Sequence, residues 1–388
     1  MARKRRTATK GGDESIRPPP PRRGRKRAER HPGGLTETEL MSLVCGYFSQ
    51  GYTASDIKRL LAERDGIMVN REVPHQLFNK AAARGWIQFT PPREHVLGEA
   101  LAAKYAWLQD LRVVESPLVP DVARVGAKAL YQLLQQKFAG QEVHLGFSGG
   151  HCMRDLARAL ASLLHAPTPD LPRRIVFHAL VAGFDIEDPT TDPNTFFAYL
   201  VKDAAMMVET GFVGLRTPPV VTRAQFDQLR TLEGVSESFD RARQVSVIVT
   251  SARDWRDAHS TLPKWVRGST ADIRKLEQSG VVGDILWRPL TMTGPAECDT
   301  ERRAMTIMEL ADLSRFVRDG KEVLLVVGPC AEPKCMAPQS RIVRAVLNQD
   351  PRLITRLVVD SRCARELLDG SPQSALGWSG HHPRGHAN

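Results

Sequence analysis

The chain has 388 residues, 42% of them hydrophobic and 25% charged, with six cysteines and a formal net charge of +10. That length implies two or three domains, and no apolar run reaches the roughly 18–20 residues of a membrane span, which excludes an integral helical membrane protein. Six scattered cysteines in so long a chain exclude a disulfide framework and point to a reducing, cytoplasmic compartment.

The charge is concentrated at one end. Residues 1–30 carry twelve Lys/Arg against three acids, a net +9, so the remainder is nearly neutral. Residues 1–34 are rich in Arg, Lys, Pro and Gly and lack apolar periodicity, which predicts a disordered basic arm that meets a polyanion by counterion release at phosphates. Within it, Arg22-Arg23-Gly24-Arg25-Lys26-Arg27 is similar to the Arg-Gly-Arg core of an AT-hook, with Lys26 where that motif has proline. Arg23 and Arg25 are therefore candidate contacts to DNA.

Residues 35–92 predict a helix-turn-helix domain. Thr36 and Glu39 form a capping box ahead of Leu40, Leu43, Val44, Tyr47 and Phe48 at helical spacing. Thr53 and Asp56 open a second helix with Ile57, Leu60 and Leu61 inward. After Asp65-Gly66, Asn70 is placed to cap a third helix over 71–84, with Val73, Leu77 and Ala81 inward and Gly85 closing it. Trp86 to Phe89 alternates like a short strand, the wing of a winged helix-turn-helix, and Pro91-Pro92 stops it. In that geometry the third helix enters the major groove. Its outward face would hold Arg71, Glu72, His75, Gln76, Asn79 and Lys80, of which Gln and Asn suit adenine and Arg suits guanine. The link between the second and third helices is longer than that of a tight helix-turn-helix.

Residues 93–140 read as connecting or oligomerising helices: a stripe of Leu97, Leu101, Tyr105 and Leu108, a strand over 111–114, and a helix over 122–138. From 141 to 370 apolar strands at 143–147, 174–180, 245–250, 282–287, 322–327 and 354–359 alternate with helices at 151–164, 193–208, 222–230, 270–278, 304–319, 338–347 and 361–369. That alternation predicts an α/β, Rossmann-like, doubly wound and mainly parallel sheet. Its ligand would lie beyond the carboxyl ends of the strands, near the loops at 148–154, 182–188, 250–256 and 328–334.

Ser148-Gly149-Gly150 and Arg154, at a strand-to-helix turn, are candidates to bind an anion. Thr250, Ser251 and Arg253 follow another strand end, and Lys334 follows a third. The acidic stretch Asp185, Glu187 and Asp188 reads as capping for the turn at Pro189 rather than as a catalytic pair. Cys330 and Cys335 have no second pair nearby and are not read as a zinc site. His381, His382 and His386 fall in a tail, 371–388, expected to be disordered. No catalytic group, metal or cofactor is assigned.

The order of these pieces resembles the SorC family (DeoR/CggR-type) of sugar-binding transcriptional regulators over about residues 35–370. Gly85-Trp86-Ile87-Gln88 ends the third helix where the family has its Gly-Ile/Leu-Val, and Leu97-Gly98-Glu99-Ala100-Leu101 followed by Leu111-Arg112-Val113-Val114 looks like its connector into the effector domain. Gly146-Phe147-Ser148-Gly149-Gly150-His151 occupies its glycine turn, and Ser279-Gly280-Val281-Val282-Gly283-Asp284-Ile285 resembles its Gly-Ala-Val-Gly-Asp segment. Gly328 with Lys334 is similar to its Gly-Gly-x-x-Lys loop, though longer here, and Ile354 to Leu368 to its closing segment. The resemblance implies an effector domain related to sugar-phosphate isomerases that serves as a sensor of phosphorylated sugars. It also implies a homodimer or homotetramer on double-stranded DNA, associated with the nucleoid. The other readings of the residues are a sugar-phosphate isomerase-like enzyme with a nucleic-acid-binding arm, and a ligand-independent DNA-binding component of a larger complex.

Overall fold

The computed structural model describes residues 35–370 except 85, 88–90, 166–169, 184–187, 202–207, 261–265, 267–268 and 297. The arm with Arg23 and Arg25, Gly85, most of the expected wing strand, Asp185 and Glu187, and the tail histidines lie outside the described residues. The chain divides into two compact units, Met1–Phe89 and Thr90–Asn388.

In the smaller unit, α1 (Glu37–Ser49) starts at the capping box of Thr36 and Glu39, and α2 (Ala54–Asp65) at that of Thr53 and Asp56. Gly66, in the left-handed conformation, ends α2. α3 (Val73–Ala83) carries Pro74 in its first turn, where the missing N–H costs little. Its N-cap is Glu72, with no side-chain bond, and not Asn70. Asn70 instead offers its backbone carbonyl to the Val73 N–H (3.1 Å), so the turn is closed by main chain. The apolar faces meet in one core of Leu40, Met41, Val44, Ile57, Leu61, Leu77 and Ala81.

The larger unit opens with α4 (His95–Lys104), β1 (Asp110–Val114), α5 (Val119–Phe138), β2 (Glu142–Phe147), α6 (His151–Leu164), β3 (Arg174–Ala179), α7 (Pro193–Leu200) and β4 (Glu209–Val213). There follow β5 (Val220–Thr222), α8 (Arg223–Arg230), α9 (Val235–Arg241), β6 (Val247–Thr250), β7 (Ala252–Asp254), α10 (Thr270–Gln278), β8 (Gly283–Ile285), β9 (Arg288–Leu290) and β10 (Arg302–Ala304). α11 (Leu310–Arg318), β11 (Glu322–Val327), α12 (Ser340–Leu347), β12 (Arg356–Asp360) and α13 (Ser361–Asp369) complete it.

Seven of these strands form one sheet in the order β1-β12-β11-β6-β2-β3-β4, and every pairing in it is parallel. Alternate residues of β11 show the layering. Val323, Leu325 and Val327 join the core under α11, α12 and α13, whereas Leu324 and Val326 join the core under α5 and α6. A sheet buried on both faces needs such apolar runs. The stretch 93–140 is built into this unit, since β1 is the sheet's edge strand and α5 covers one face.

Two expected elements resolve differently. Val282–Trp287 is not a strand of the central sheet: β8 pairs antiparallel with β7 and β9 in a small separate sheet. Leu286 and Trp287 form the tight turn between β8 and β9, both at positive φ (49° and 59°), the twist that a two-residue hairpin requires. Their apolar character reflects burial in a layer above the sheet rather than membership of it. The expected helix at 304–319 begins only at Leu310, because Arg302–Ala304 pairs with β5. No helix among the described residues is long and apolar enough to cross a membrane.

Candidate functional site

Strand order locates the site. From β2 the chain winds outward through β3 to β4, then returns to β6 and continues the opposite way through β11 to β12. The direction reverses between β2 and β6, and a crevice opens at the carboxyl ends of the strands where it does so. A cavity of about 560 Å³ lies there. One wall is apolar: Pro117, Leu118, Val119 and Pro120 at the start of α5, with Met336. The other is polar: His151, Arg154 and Asp155 from α6, Arg253 from β7, and His259, Cys330 and Glu332 from loops. A second, open cavity of about 670 Å³ beyond β3 and β4 has Arg216 as its only cationic lining residue among the described residues.

The cations of the first cavity are held in place by acids. Arg154 donates from Nε to Asp155 (2.9 Å) and from Nη1 to the Thr190 hydroxyl (3.1 Å), with Asp188 at 3.8 Å. Arg253 pairs with Asp257 at 3.5 Å. His151 stands 3.7 Å from Asp188, yet burial and then the neighbouring Arg154 and Arg253 hold its pKa below the usual imidazole value. Burial, with the Asp257 carboxylate adjacent, pushes the Cys330 thiol up to about 12. Across the small sheet from Arg253 lies Asp284, the acid of the Gly283-Asp284 pair. It is 4% exposed, and burial pushes its carboxyl up to about 7.

Of the eight ligand-site candidates from the sequence, Arg154 and Arg253 line this cavity. Ser148, Gly149 and Gly150 form the turn into α6, with Gly150 at φ +107°, but two of their N–H groups are already used. Ser148 N–H bonds the Val249 carbonyl of β6 (3.1 Å) and Gly150 N–H the Thr191 carbonyl in the turn before α7 (2.9 Å), so these donors are already engaged within the fold. Ser148 is itself buried, its hydroxyl accepting from the Ser251 N–H at 3.4 Å. Thr250 is fully buried, with its hydroxyl on the Ser251 carbonyl, and Lys334 is exposed outside the lining. His151 enters the sequence reading only as the last residue of the Gly146–His151 turn, and Asp155, inside α6, and His259, beyond β7, carry no sequence signal of their own.

In the smaller unit, Arg71, His75, Gln76, Asn79 and Lys80 are all exposed on α3 and its entry, on the side away from the core. His75 rests against Phe48 (ring centroids 5.6 Å apart), and Lys80 pairs with Glu37.

No protein-family model and no curated protein sequence matches this chain. Its fold, by contrast, is shared with solved bacterial regulators. The full-length sorbitol operon regulator SorC from Klebsiella pneumoniae aligns with a TM-score of 0.58 at 17% identity, over 86% of this chain and 99% of that one. A DeoR family transcriptional regulator from Listeria monocytogenes aligns at 0.53 and 22% identity, over 70% of this chain and 98% of that one. A transcriptional regulator from Streptococcus pneumoniae aligns at 0.53 and 18% identity, over 71% and 97%. The fold is therefore that of the SorC/DeoR-type regulators, as the sequence resemblance implies.

Proposed function

We propose that the chain is a transcriptional regulator whose larger unit senses a small anionic, sugar-like metabolite and whose smaller unit binds double-stranded DNA. The observation that carries this reading is the placement of a half-apolar, doubly cationic cavity at the sheet's switch point, in a fold shared with regulators. The apolar wall suits the C–H face of a sugar, and Arg154 and Arg253 suit a phosphate or carboxylate. In the smaller unit the exposed α3 residues supply base-edge donors and acceptors, and the arm with Arg23 and Arg25 supplies phosphate or minor-groove contacts. The assembly is a homodimer or homotetramer reading repeated half-sites.

The test is DNA-binding titration of the full-length protein over a range of salt, with and without sugar phosphates. Deleting 1–34 weakens binding to all sequences about equally and flattens the salt slope. Gln76→Ala or Asn79→Ala costs about 1–3 kcal/mol on the preferred sequence and relaxes preference at one position. Unchanged affinity and preference in all three variants refutes the DNA-binding half. Failure of every sugar phosphate to bind or to alter DNA affinity refutes the sensing half.

A further inference from the structure

We propose that Asp257, His259, Cys330 and Cys335 together form a binding site for a thiophilic divalent cation of the zinc class. The four residues come from two loops that the sheet brings together. Asp257 and His259 follow β7, and Cys330 and Cys335 lie in the loop after β11. Each presents one donor atom, and all four donors lie within 4.8 Å of one another. Zinc holds sulfur at about 2.3 Å and nitrogen or oxygen at about 2.0–2.2 Å, so neighbouring ligands in a tetrahedron sit roughly 3.3–3.8 Å apart. Three of the spacings fall in that range: Cys330 Sγ to Asp257 Oδ1 is 3.3 Å, Cys330 Sγ to His259 Nδ1 is 3.4 Å, and His259 Nδ1 to Asp257 Oδ1 is 3.4 Å.

The surroundings orient these donors. Gln339 Nε2 donates to Asp257 Oδ2 (3.1 Å), and Arg253 Nη1 stands 3.5 Å from the same oxygen, which leaves Oδ1 turned to the cluster. The Cys330 N–H bonds the Ala337 carbonyl (2.8 Å) and the Cys335 N–H the Glu332 carbonyl (2.9 Å). The Met336 N–H also bonds the Glu332 carbonyl (3.1 Å), so a turn over 332–336, with Met336 at a left-handed φ of 46°, closes the loop between the two cysteines. Two thiolates, one carboxylate and a neutral imidazole on a divalent ion leave one negative charge, which Arg253 balances. Binding releases the two thiol protons to solvent. A disulfide between the two cysteines would leave Asp257 and His259 with no part in the arrangement. His259 and Cys330 also line the 560 Å³ cavity, so the ion would sit in its wall and fix the loop that borders it. The inference rests on donor geometry and does not require the regulatory reading.

The full-length protein, isolated under reducing conditions and stripped with a chelator, is titrated with cobalt(II) and then zinc(II). We expect one cobalt per chain, with a thiolate-to-metal charge-transfer band and the visible bands of tetrahedral cobalt, bleached by zinc. Cys335→Ser, at a half-buried position that tolerates a polar group, removes about half of the charge-transfer intensity. It also weakens binding at least about tenfold, whereas Gln339→Ala keeps the spectrum and weakens binding about 10–100-fold. Cobalt uptake without a thiolate band, as the tail histidines alone would give, overturns the proposal. So does the same spectrum and affinity in wild type, Cys330→Ser and Cys335→Ser, or a Cys330–Cys335 disulfide that survives the reducing conditions of isolation.

Discussion

Asp284 makes the stability of the larger unit depend on pH in a direction opposite to the usual carboxylate. Its side chain is buried on β8, and burial lifts its pKa from 3.8 to about 7, against the opposing pull of Arg253. Below pH 3.8 the group is protonated in both folded and unfolded chains and contributes nothing. Between 3.8 and about 7 the folded protein keeps a proton that the unfolded chain gives up, so stability falls as pH rises, and the full cost is in place above about 7. At 1.36 kcal/mol per pH unit, that cost reaches roughly 4 kcal/mol. Asp284→Asn retains an acceptor for the Trp287 N–H and cannot ionise. Urea unfolding of both proteins, followed by tryptophan fluorescence across this range, should show the variant gaining on wild type as pH rises. If the difference between the two proteins stays constant with pH, the buried-acid reasoning is wrong.

Gly283→Ala should destabilise the same region, because a Cβ there would lie 2.2 Å from the Arg253 carbonyl oxygen and 2.7 Å from Ile342 Cδ1. Thermal unfolding should report a loss of about 1–3 kcal/mol or more. Glu322, buried at the start of β11, receives Lys137, Arg356 Nε (2.9 Å) and the Thr355 hydroxyl (2.9 Å). Burial pushes its pKa up, but these bonds prevail and hold it below the ordinary value, so its stabilisation is present above the unfolded pKa and lost as pH falls through the folded one. Glu322→Ala should cost about 3–5 kcal/mol at neutral pH and flatten the acid limb of the unfolding profile. If the proposed sensing of a sugar phosphate holds, Arg154→Ala weakens that binding by roughly 1.5–3 kcal/mol in calorimetry while leaving the unfolding transition in place.

The sheet was readable because its central strands are buried on both faces and therefore appear as apolar runs, as over residues 323–327 of β11. The outward face of α3 was readable for the complementary reason, that helical periodicity separates Leu77 and Ala81 from Gln76 and Lys80. The run Val282–Trp287 misled because it is as buried as a central strand while pairing elsewhere, and burial rather than pairing is what an apolar run records. β4 was missed since Glu209, Thr210 and Gly211 dilute its pattern at the sheet's edge. The cavity was only half legible. A strand-end rule points to loops, but it does not say which loop residues turn inward, and Lys334 and Arg253 look alike until the chain is folded. The four-donor cluster was illegible for a similar reason, since about 70 residues separate Asp257 and His259 from the two cysteines.

Among the described residues, the outermost strand β1 pairs along its length with β12, Asp110 opposite Arg356 and Val114 opposite Asp360, and on its other edge meets only a single antiparallel bridge from Arg93 to Val114. On a ribosome, segment 110–114 emerges early and then waits until β12 has been synthesised. At roughly 5–20 residues per second that delay is tens of seconds. Meanwhile Leu111, Val113 and Val114 have only the short bridge at Arg93 and lack the strand that pairs along their length. Nascent chains truncated before residue 356 should accordingly be the species that chaperones retain and that aggregate most readily.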